Sequence, residues 1–145
     1  MQFNPSDMGI RDVYALMVQL ITPRPIAWVS TISKSGVTNL APYSFFNGVG
    51  ASPPSVLFCP ANRRDGSMKH SLSNVIETGE FVVNLVSFDD AELMNQTSAE
   101  FGDDQSEIDA LGIETTASSL VKPPRVVTSL AQFECKLLQH IALGE

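Results

Sequence analysis

The sequence predicts a mainly β domain with short helices, folded as a barrel or sandwich rather than as a βαβ protein. Its 145 residues include nine prolines and nine glycines, and this frequency of turn residues favours short strands over long helices. About six strands are predicted, and their hairpin-length connections favour antiparallel pairing. The length fits one domain over residues 1–145. A composition that is 43% hydrophobic is able to form a core without metal or disulfide bonds.

The N-terminal third predicts an apolar segment followed by a β-hairpin. Residues 13–20 are apolar with a weak helical or extended pattern, which the prolines of "TPRP" bring to an end. In "IAWVSTIS", residues 26–33, the side chains alternate between two faces as they do in a strand. Trp28 lies on the face formed by the even-numbered residues. The turn sequence "KSG" predicts that residues 37–44 pair with this strand as a hairpin.

A third strand and a helix are predicted next. The segment "PPSVLFCPA", residues 53–61, is apolar and bounded by prolines, which occur at strand ends rather than inside a sheet. Residues 66–81 show apolar side chains at helical spacing. Ser67 is predicted to cap the start of this helix, and Gly79 stands where a glycine in the left-handed conformation ends it.

The second half predicts a central strand followed by acidic and then β structure. Residues 80–87 are apolar on both faces except at Asn84, which is typical of a strand inside a sheet. Two carboxylates open a helix in "DDAELMNQTSA", and residues 102–119 are acidic, loop-like and partly helical. The chain finishes with strands in "KPPRVVTS" and "AQFECKLLQHIALG". Nothing before Glu145 pairs with the outer edge of the last strand, so we expect a second chain or further strands there.

The charge distribution argues against a nucleic-acid partner. The net charge is −7, and the segment from Asp89 to Glu114 holds nine acids and no base. Phosphate backbones require a clustered basic surface, which this chain lacks. The acids do not have calcium-loop spacing, so the run is predicted to be a solvated face. The few bases in residues 1–80 could still hold one small anion.

Cysteines and apolar runs indicate a cytoplasmic protein that does not enter the membrane. Cys59 and Cys135 are far apart and outside any CxxC motif, which predicts two buried, free thiols in a reducing cytosol. No apolar run approaches the ~20 residues of a membrane span, and no charged-then-apolar leader opens the chain.

The common catalytic motifs are missing from the sequence. His70 and His140 are the only histidines, so no metal cluster is predicted, and no carboxylate pair stands out for acid–base catalysis. The "GVGAS" segment is spaced like the start of a dinucleotide loop, but two prolines follow it and prevent a helix. We therefore predict no catalytic side chain, and instead a site for a cofactor that supplies its own chemistry.

The segment between Arg24 and Cys59 carries the functional information. It contains "RPIAWVST", then "NLAPYSFFN" three residues after a glycine, then "PPSVLFC". Through these motifs the sequence resembles the flavin reductase-like, FMN-binding split-barrel family, and the branch that contains flavoredoxin-type proteins. The resemblance covers residues 20–100 strongly. A looser match is "KHSLSNVIETGEFVVNLV", where His70 and Ser71 stand in place of the family's usual Asp and Thr.

The resemblance implies a Greek-key split β-barrel that is usually a homodimer, with one FMN per subunit near the dimer interface. It implies a flavin reductase that passes a hydride from NAD(P)H to the flavin. The alternative is a non-enzymatic, flavoredoxin-like carrier that takes electrons from a protein partner, which the acidic run could dock. Family members continue with further strands, so the chain is predicted to be truncated at its C-terminus. A truncated chain that binds no flavin and persists as a dimer scaffold is the third possibility.

The resemblance also implies the site residues. Residues 39–60 carry no charge, as suits a flat and largely apolar ring. Contacts to the ring and its side chain are expected from Ser30, Thr31, Asn39, Ala41, Pro42, Tyr43, Ser44, Phe45 and Cys59. The phosphate is expected at the start of the predicted helix, where free N–H groups favour an anion. Its ligands would be Lys69 and Ser71, helped by Arg63 or Arg64, with Arg24 as a weaker candidate.

Each assignment has a purely structural alternative. Lys69 and the two arginines could be ordinary solvated side chains, and the strand hydroxyls could simply pack. The aromatic residues of "PYSFF" could serve packing as much as cofactor contact. Trp28 is expected in the core or a dimer interface, and Cys59 is expected to behave as a small buried hydrophobe.

Overall fold

The computed structural model describes residues 2–63, 65–102 and 104–143. The N-terminal region holds a 3-10 turn at Pro5–Asp7 and helix α1 at Ile10–Leu20. The remaining helices are short: α2 His70–Thr78, α3 Ala91–Gln96 and α4 Glu107–Leu111. The strands are β1 Ala27–Ile32, β2 Thr38–Tyr43, β3 Phe46–Ala51, β4 Pro54–Phe58, β5 Glu80–Leu85, β6 Thr115–Thr116, β7 Arg125–Val126 and β8 Gln132–Lys136.

One antiparallel four-stranded sheet organises the molecule, with strand order β2-β1-β5-β8. The predicted hairpin is confirmed: β1 pairs with β2 from Ala27 opposite Tyr43 to Ile32 opposite Thr38. The central position predicted for residues 80–87 is also confirmed, because β5 has a neighbour on each side. Strands β3 and β4 form a separate two-stranded ribbon, and β6 pairs with β7.

The alternation of side chains along β1 divides the core into two clusters. Ala27 and Val29 belong to the cluster that includes Val75 of α2, so this face is covered by α2. Trp28 is fully buried in the other cluster, which includes Ile108 of α4. The two faces predicted for β1 are therefore confirmed, and Trp28 lies in the core of the chain.

Asn84 is the polar exception in β5, and it acts as a connector. Its side chain is fully buried, and its Nδ2 donates to the Trp28 carbonyl oxygen at 3.0 Å and to Ser30 Oγ at 3.4 Å. Its Oδ1 accepts the N–H of Val126 at 2.9 Å. The amide thus joins the central sheet to the β6–β7 pair, as expected for a buried polar group with its hydrogen bonds made.

Helix α4 covers the outer edge of β2. The Glu107 carboxylate accepts the N–H of Leu40 at 2.9 Å, and Thr38 Oγ1 lies 2.7 Å from Ser106 Oγ. An acceptor side chain from a neighbouring helix can satisfy the backbone donors of an edge strand, which would otherwise be open to pairing with another strand. Among the described residues, no strand pairs with the outer edge of β8.

Several predicted elements differ from those in the structure. Residues 46–51 form a strand that was not predicted, because glycines obscure its alternation. The third strand covers only residues 54–58 of the predicted 53–61. The predicted cap at Ser67 is wrong: α2 begins at His70, and Ser67 instead bonds to the Asp65 carboxylate. Gly79 ends α2 in the left-handed conformation as predicted, with φ +74°.

The apolar segments near the two ends of the chain also differ in secondary structure from what their sequence patterns predict. Residues 10–20 form a helix, which settles the helical or extended ambiguity of 13–20. Of the two strands predicted after residue 121, β7 has two residues and β8 has five. Residues 137–143 are neither helix nor strand. The partly helical character predicted for 102–119 is confirmed by α4.

The cysteines are free thiols, as predicted, but they are not both buried. Cys59 is exposed, so its predicted burial is wrong: it directly follows β4, where the chain leaves the two-stranded ribbon. Cys135 is half-buried, and burial raises the pKa of its thiol to about 11. A thiol with so high a pKa is a poor nucleophile at neutral pH.

Candidate functional site

The candidate site forms where three chain segments meet: the end of β2, the end of β4 and the start of α2. Tyr43 stands at the junction. Its ring centroid is 5.2 Å from that of Phe58 in β4, and Lys69 Nζ lies 5.7 Å from the same ring. The structure thus brings the aromatic segment and the lysine together, although 25 residues separate them in sequence.

The start of α2 presents backbone donors. Lys69 is the N-cap residue in extended conformation, and no side chain caps the helix. The N–H groups of Ser71 and Leu72 belong to the first turn, which has no carbonyl of its own helix to bond. These donors and the positive end of the helix dipole favour an anion here, and the exposed Lys69 adds a cation.

Buried amides connect α2 to the sheet immediately behind this helix start. Asn39 Nδ2 donates to Ser71 Oγ at 2.7 Å, and Asn74 Nδ2 donates to Thr31 Oγ1 at 3.0 Å. Thr31 and Asn39 are opposite each other in the β1–β2 pair. All four side chains are buried, so the hydroxyls of Thr31 and Ser71 face the interior and have protein partners.

The Tyr43 hydroxyl is a buried donor without a partner. The residue is 4% exposed, and its oxygen makes no hydrogen bond within the described part of the chain. The Ser71 hydroxyl lies beside it but does not reach hydrogen-bond geometry. Burial raises the pKa of Tyr43 to about 12, with a further rise from Glu107 and opposing effects from Ser71 and Arg63.

The predicted arginines have different surroundings. Arg63 Nη2 lies 2.6 Å from His70 Nε2, so Arg63 is placed beside the first residue of α2. Arg24 donates to the carbonyl oxygens of Val18 and Ile21 and so serves the end of α1. Arg64 lies outside the described residues.

Some of the remaining predicted residues lie near the start of α2, and the others lie on the opposite face of the sheet. Phe45 and Cys59 are adjacent, since the Cys59 N–H donates to the Phe45 carbonyl at 2.9 Å. Phe45 also packs edge-on against Tyr14 of α1, with ring centroids 5.5 Å apart. Ala41 packs against the α2-facing core cluster, and Ser44 is half-buried in the turn after β2.

Ser30 and Pro42 lie on the other side of the sheet. Ser30 is fully buried, and its hydroxyl donates to the Pro124 carbonyl at 2.5 Å. Pro42 is opposite Trp28 in the β1–β2 pair. The structure therefore does not bring these two residues to the start of α2, and their cofactor contacts stay predictions.

Glu107 is a neighbour of the site that the sequence reasoning missed. The acidic run was predicted to be solvated, but Asp90 and Glu107 are buried. Burial raises the pKa of the Glu107 carboxyl, while the Leu40 N–H and nearby His70 lower it. The available signal was "SEID", because Ser106 followed three residues later by an acid is a helix-start signature, and Ser106 does cap α4.

The cavity beside the start of α2 is large enough for a small group but not for a tricyclic ring. A cavity of about 30 Å³ is bordered by Asn39, His70 and Asn74, and it has room for a water molecule. A second cavity of about 480 Å³ is lined by Lys34, Glu77 and their neighbours, none of them predicted site residues.

Among the described residues, neither a membrane-spanning helix nor a group of metal ligands is present. No helix in residues 2–63, 65–102 or 104–143 is long and apolar enough to cross a membrane. Over the same ranges, no three His, Cys, Asp or Glu side chains are grouped so that they could hold a metal ion.

Comparison with known proteins gives a consistent assignment. The model of the flavin reductase like domain matches residues 19–145. An uncharacterized protein of Aquifex aeolicus is 41% identical over 141 residues, covering 97% of this chain and 72% of that protein. Among solved structures, nitrilotriacetate monooxygenase component B from Bacillus cereus superimposes with a TM-score of 0.92 at 35% identity. That match covers 100% of this chain and 71% of the other.

The fold is also shared with flavoredoxin of Desulfovibrio vulgaris (Miyazaki F). The TM-score is 0.73 at 19% identity, covering 83% of this chain and 63% of flavoredoxin. The predicted split-barrel fold with short helices and the predicted family resemblance are therefore confirmed.

Proposed function

This chain belongs to the flavin reductase-like family, and from that premise we propose that it binds FMN and acts as a flavin reductase-type oxidoreductase. The observation that carries the proposal is the meeting of an uncharged aromatic segment with the uncapped start of α2. An apolar ring with an anionic tail requires both features side by side.

The residues present fit the phosphate tail of FMN. The first-turn N–H groups of α2 supply directed donors, and Lys69 supplies positive charge. The Tyr43 hydroxyl is a buried polar atom that lacks a partner among the described residues. We propose that Lys69 and the Ser71 backbone N–H bind the phosphate, with Arg63 contributing positive charge. The His70 side chain, beside Arg63, takes the place of the carboxylate usual in the family.

The ring is proposed to lie along the surface from Tyr43 to Cys59. Phe45 and Cys59 offer apolar contact there, and Ser44 offers a hydroxyl beside them. When bound, FMN supplies the chemistry, accepting a hydride from NAD(P)H and passing electrons on. The chain's own contribution is to orient the ring and anchor its tail, since no described side chain is placed as an acid–base dyad.

The rival proposal is an electron carrier that receives electrons from a protein partner. It is favoured by an exposed acidic surface able to attract a basic partner. Among the described acids of the run, the exposed ones are Asp89, Glu92, Glu100, Asp104, Asp109 and Glu114. The homodimer and cytoplasmic location expected from the sequence stay part of the proposal.

Purification and anaerobic reduction test these proposals in order. Yellow protein whose released cofactor co-elutes with FMN supports cofactor binding. A folded preparation that stays colourless after incubation with excess FMN would refute it. Prompt anaerobic bleaching of the yellow flavin absorbance by NADH or NADPH supports the reductase. Bleaching that occurs only with an added reduced partner protein would support the carrier instead.

A further inference from the structure

Among the described residues, the Tyr43 hydroxyl is one of three buried side-chain polar atoms without a hydrogen-bond partner, beside Arg24 Nε and Arg125 Nε. It is buried, it has no hydrogen-bond partner among the described residues, and it remains protonated at neutral pH. Folded proteins rarely leave such a group without a partner, and an exception requires an explanation such as a ligand. Its neighbours at the start of α2 indicate what kind of ligand this is.

Donors and cations lie near the hydroxyl at the start of α2, and the Glu107 carboxylate is also close enough to raise the Tyr43 pKa. Asn39 Nδ2 donates to Ser71 Oγ, so the serine oxygen acts as an acceptor there and its own proton remains available. Lys69 Nζ lies 5.7 Å from the Tyr43 ring centroid, and the first turn of α2 has no side-chain cap. Lys69 and the first-turn N–H groups therefore favour an anion at the end of α2, where the side chains of Ser71 and Tyr43 lie buried.

We propose that the Tyr43 hydroxyl donates a hydrogen bond to the phosphate monoester of bound FMN, and that Asn39 positions Ser71 for the same phosphate. The identity of the ligand rests on the proposed function, whereas the anion preference rests on the start of α2. Tyr43 would thus be a specificity-determining residue that separates FMN from riboflavin, and Asn39 a positioning residue acting through Ser71.

The test of Tyr43 is the variant Tyr43→Phe, which removes only the unpartnered oxygen. A lost hydrogen bond to a charged group corresponds to a Kd for FMN about ten- to a hundredfold higher. The Kd for riboflavin is expected to stay within about twofold, and the unfolding temperature without ligand is expected not to fall. Tyr14→Phe is the matched control, because Tyr14 is the only other tyrosine and is 48% exposed.

The test of Asn39 is a double-mutant cycle with Ser71. If Asn39 acts through the serine, Asn39→Ala adds no further loss of FMN-over-riboflavin preference once Ser71→Ala is present. Independent, additive losses would overturn the positioning role. Riboflavin affinity serves as the internal control, since general damage to the fold would lower binding of both ligands.

Inorganic phosphate separates failure of this inference from failure of the proposed function. Phosphate at millimolar concentration is expected to raise the unfolding temperature of the wild-type chain and not of Tyr43→Phe. If FMN fails to bind but phosphate still discriminates, the proposed function falls and the anion subsite stands. If FMN binds equally to both, or if Tyr43→Phe weakens FMN and riboflavin alike, the subsite is refuted.

Discussion

The substitution Asn84→Ala tests whether one buried amide joins the sheet to the β6–β7 pair. The change removes the acceptor of the Val126 N–H and the donor to the Trp28 carbonyl, both at a site with no solvent exposure. A buried group left unsatisfied costs about 1–3 kcal/mol, and the cavity left by the side chain adds to this. We expect a loss of about 4 kcal/mol in the free energy of unfolding.

Urea unfolding followed by circular dichroism measures this loss, and an unchanged m-value shows that the same transition is being compared. In a domain of this size, the loss corresponds to a fall in unfolding temperature of about 12 °C. Asn95→Ala is the control, because Asn95 is exposed in α3, and its effect is expected to stay within about 0.5 kcal/mol. A loss below about 1 kcal/mol for Asn84→Ala would refute the connecting role of the amide.

Three further predictions follow from the site and its supports. Lys69→Ala is expected to raise the Kd for FMN about tenfold and leave that for riboflavin unchanged, while Lys34→Ala in the β1–β2 turn changes neither; equal loss of both ligands would mean that Lys69 does not contact phosphate. Burial raises the pKa of Glu107 above 4.5, because the buried site favours the protonated carboxyl. The stability that this protonated carboxyl contributes is present below pH 4.5 and is lost as pH rises through the folded-state pKa. The stability of Glu107→Gln relative to wild type, measured by urea midpoints, should therefore be higher at pH 7 than at pH 4, and a difference independent of pH contradicts this. Gly79→Ala is expected to lower the free energy of unfolding in urea by about 1 kcal/mol, because a residue with a Cβ is strained at a φ of +74°. The loss stays small because the added methyl meets no atom within 4 Å. No loss would show that α2 ends differently in solution.

Local patterns predicted the elements whose side chains repeat regularly. The alternation in residues 26–33 and the "KSG" turn predicted the β1–β2 hairpin, and the apolar run of 80–87 predicted a central strand. These predictions succeeded because strand periodicity and turn chemistry act over a few residues. Strand β3 was missed because its glycines give no alternation to detect, and its pairing with β4 depends on a partner later in the chain.

The candidate site depended more on tertiary structure. Six residues of the motif "NLAPYSFFN" and the lysine at residue 69 were predicted as site residues from the resemblance. The sequence did not reveal that Tyr43 and Lys69 are in contact, or that Ser71 faces inward to Asn39. It also gave Glu107 as one solvated acid among nine, whereas α4 buries this carboxylate against the edge of β2.

By itself, the sequence determined the family through the resemblance of its motifs, the central position of β5, the end of α2 at a left-handed glycine and the uncharged character of residues 39–60. Each of these depends on residue types and on spacings of a few positions. Only the tertiary structure decided which polar groups have partners, and therefore that the Tyr43 hydroxyl lacks one while the hydroxyls of Ser30 and Thr31 do not. The physical reason is that burial and hydrogen bonding depend on contacts between segments tens of residues apart, which no local pattern encodes.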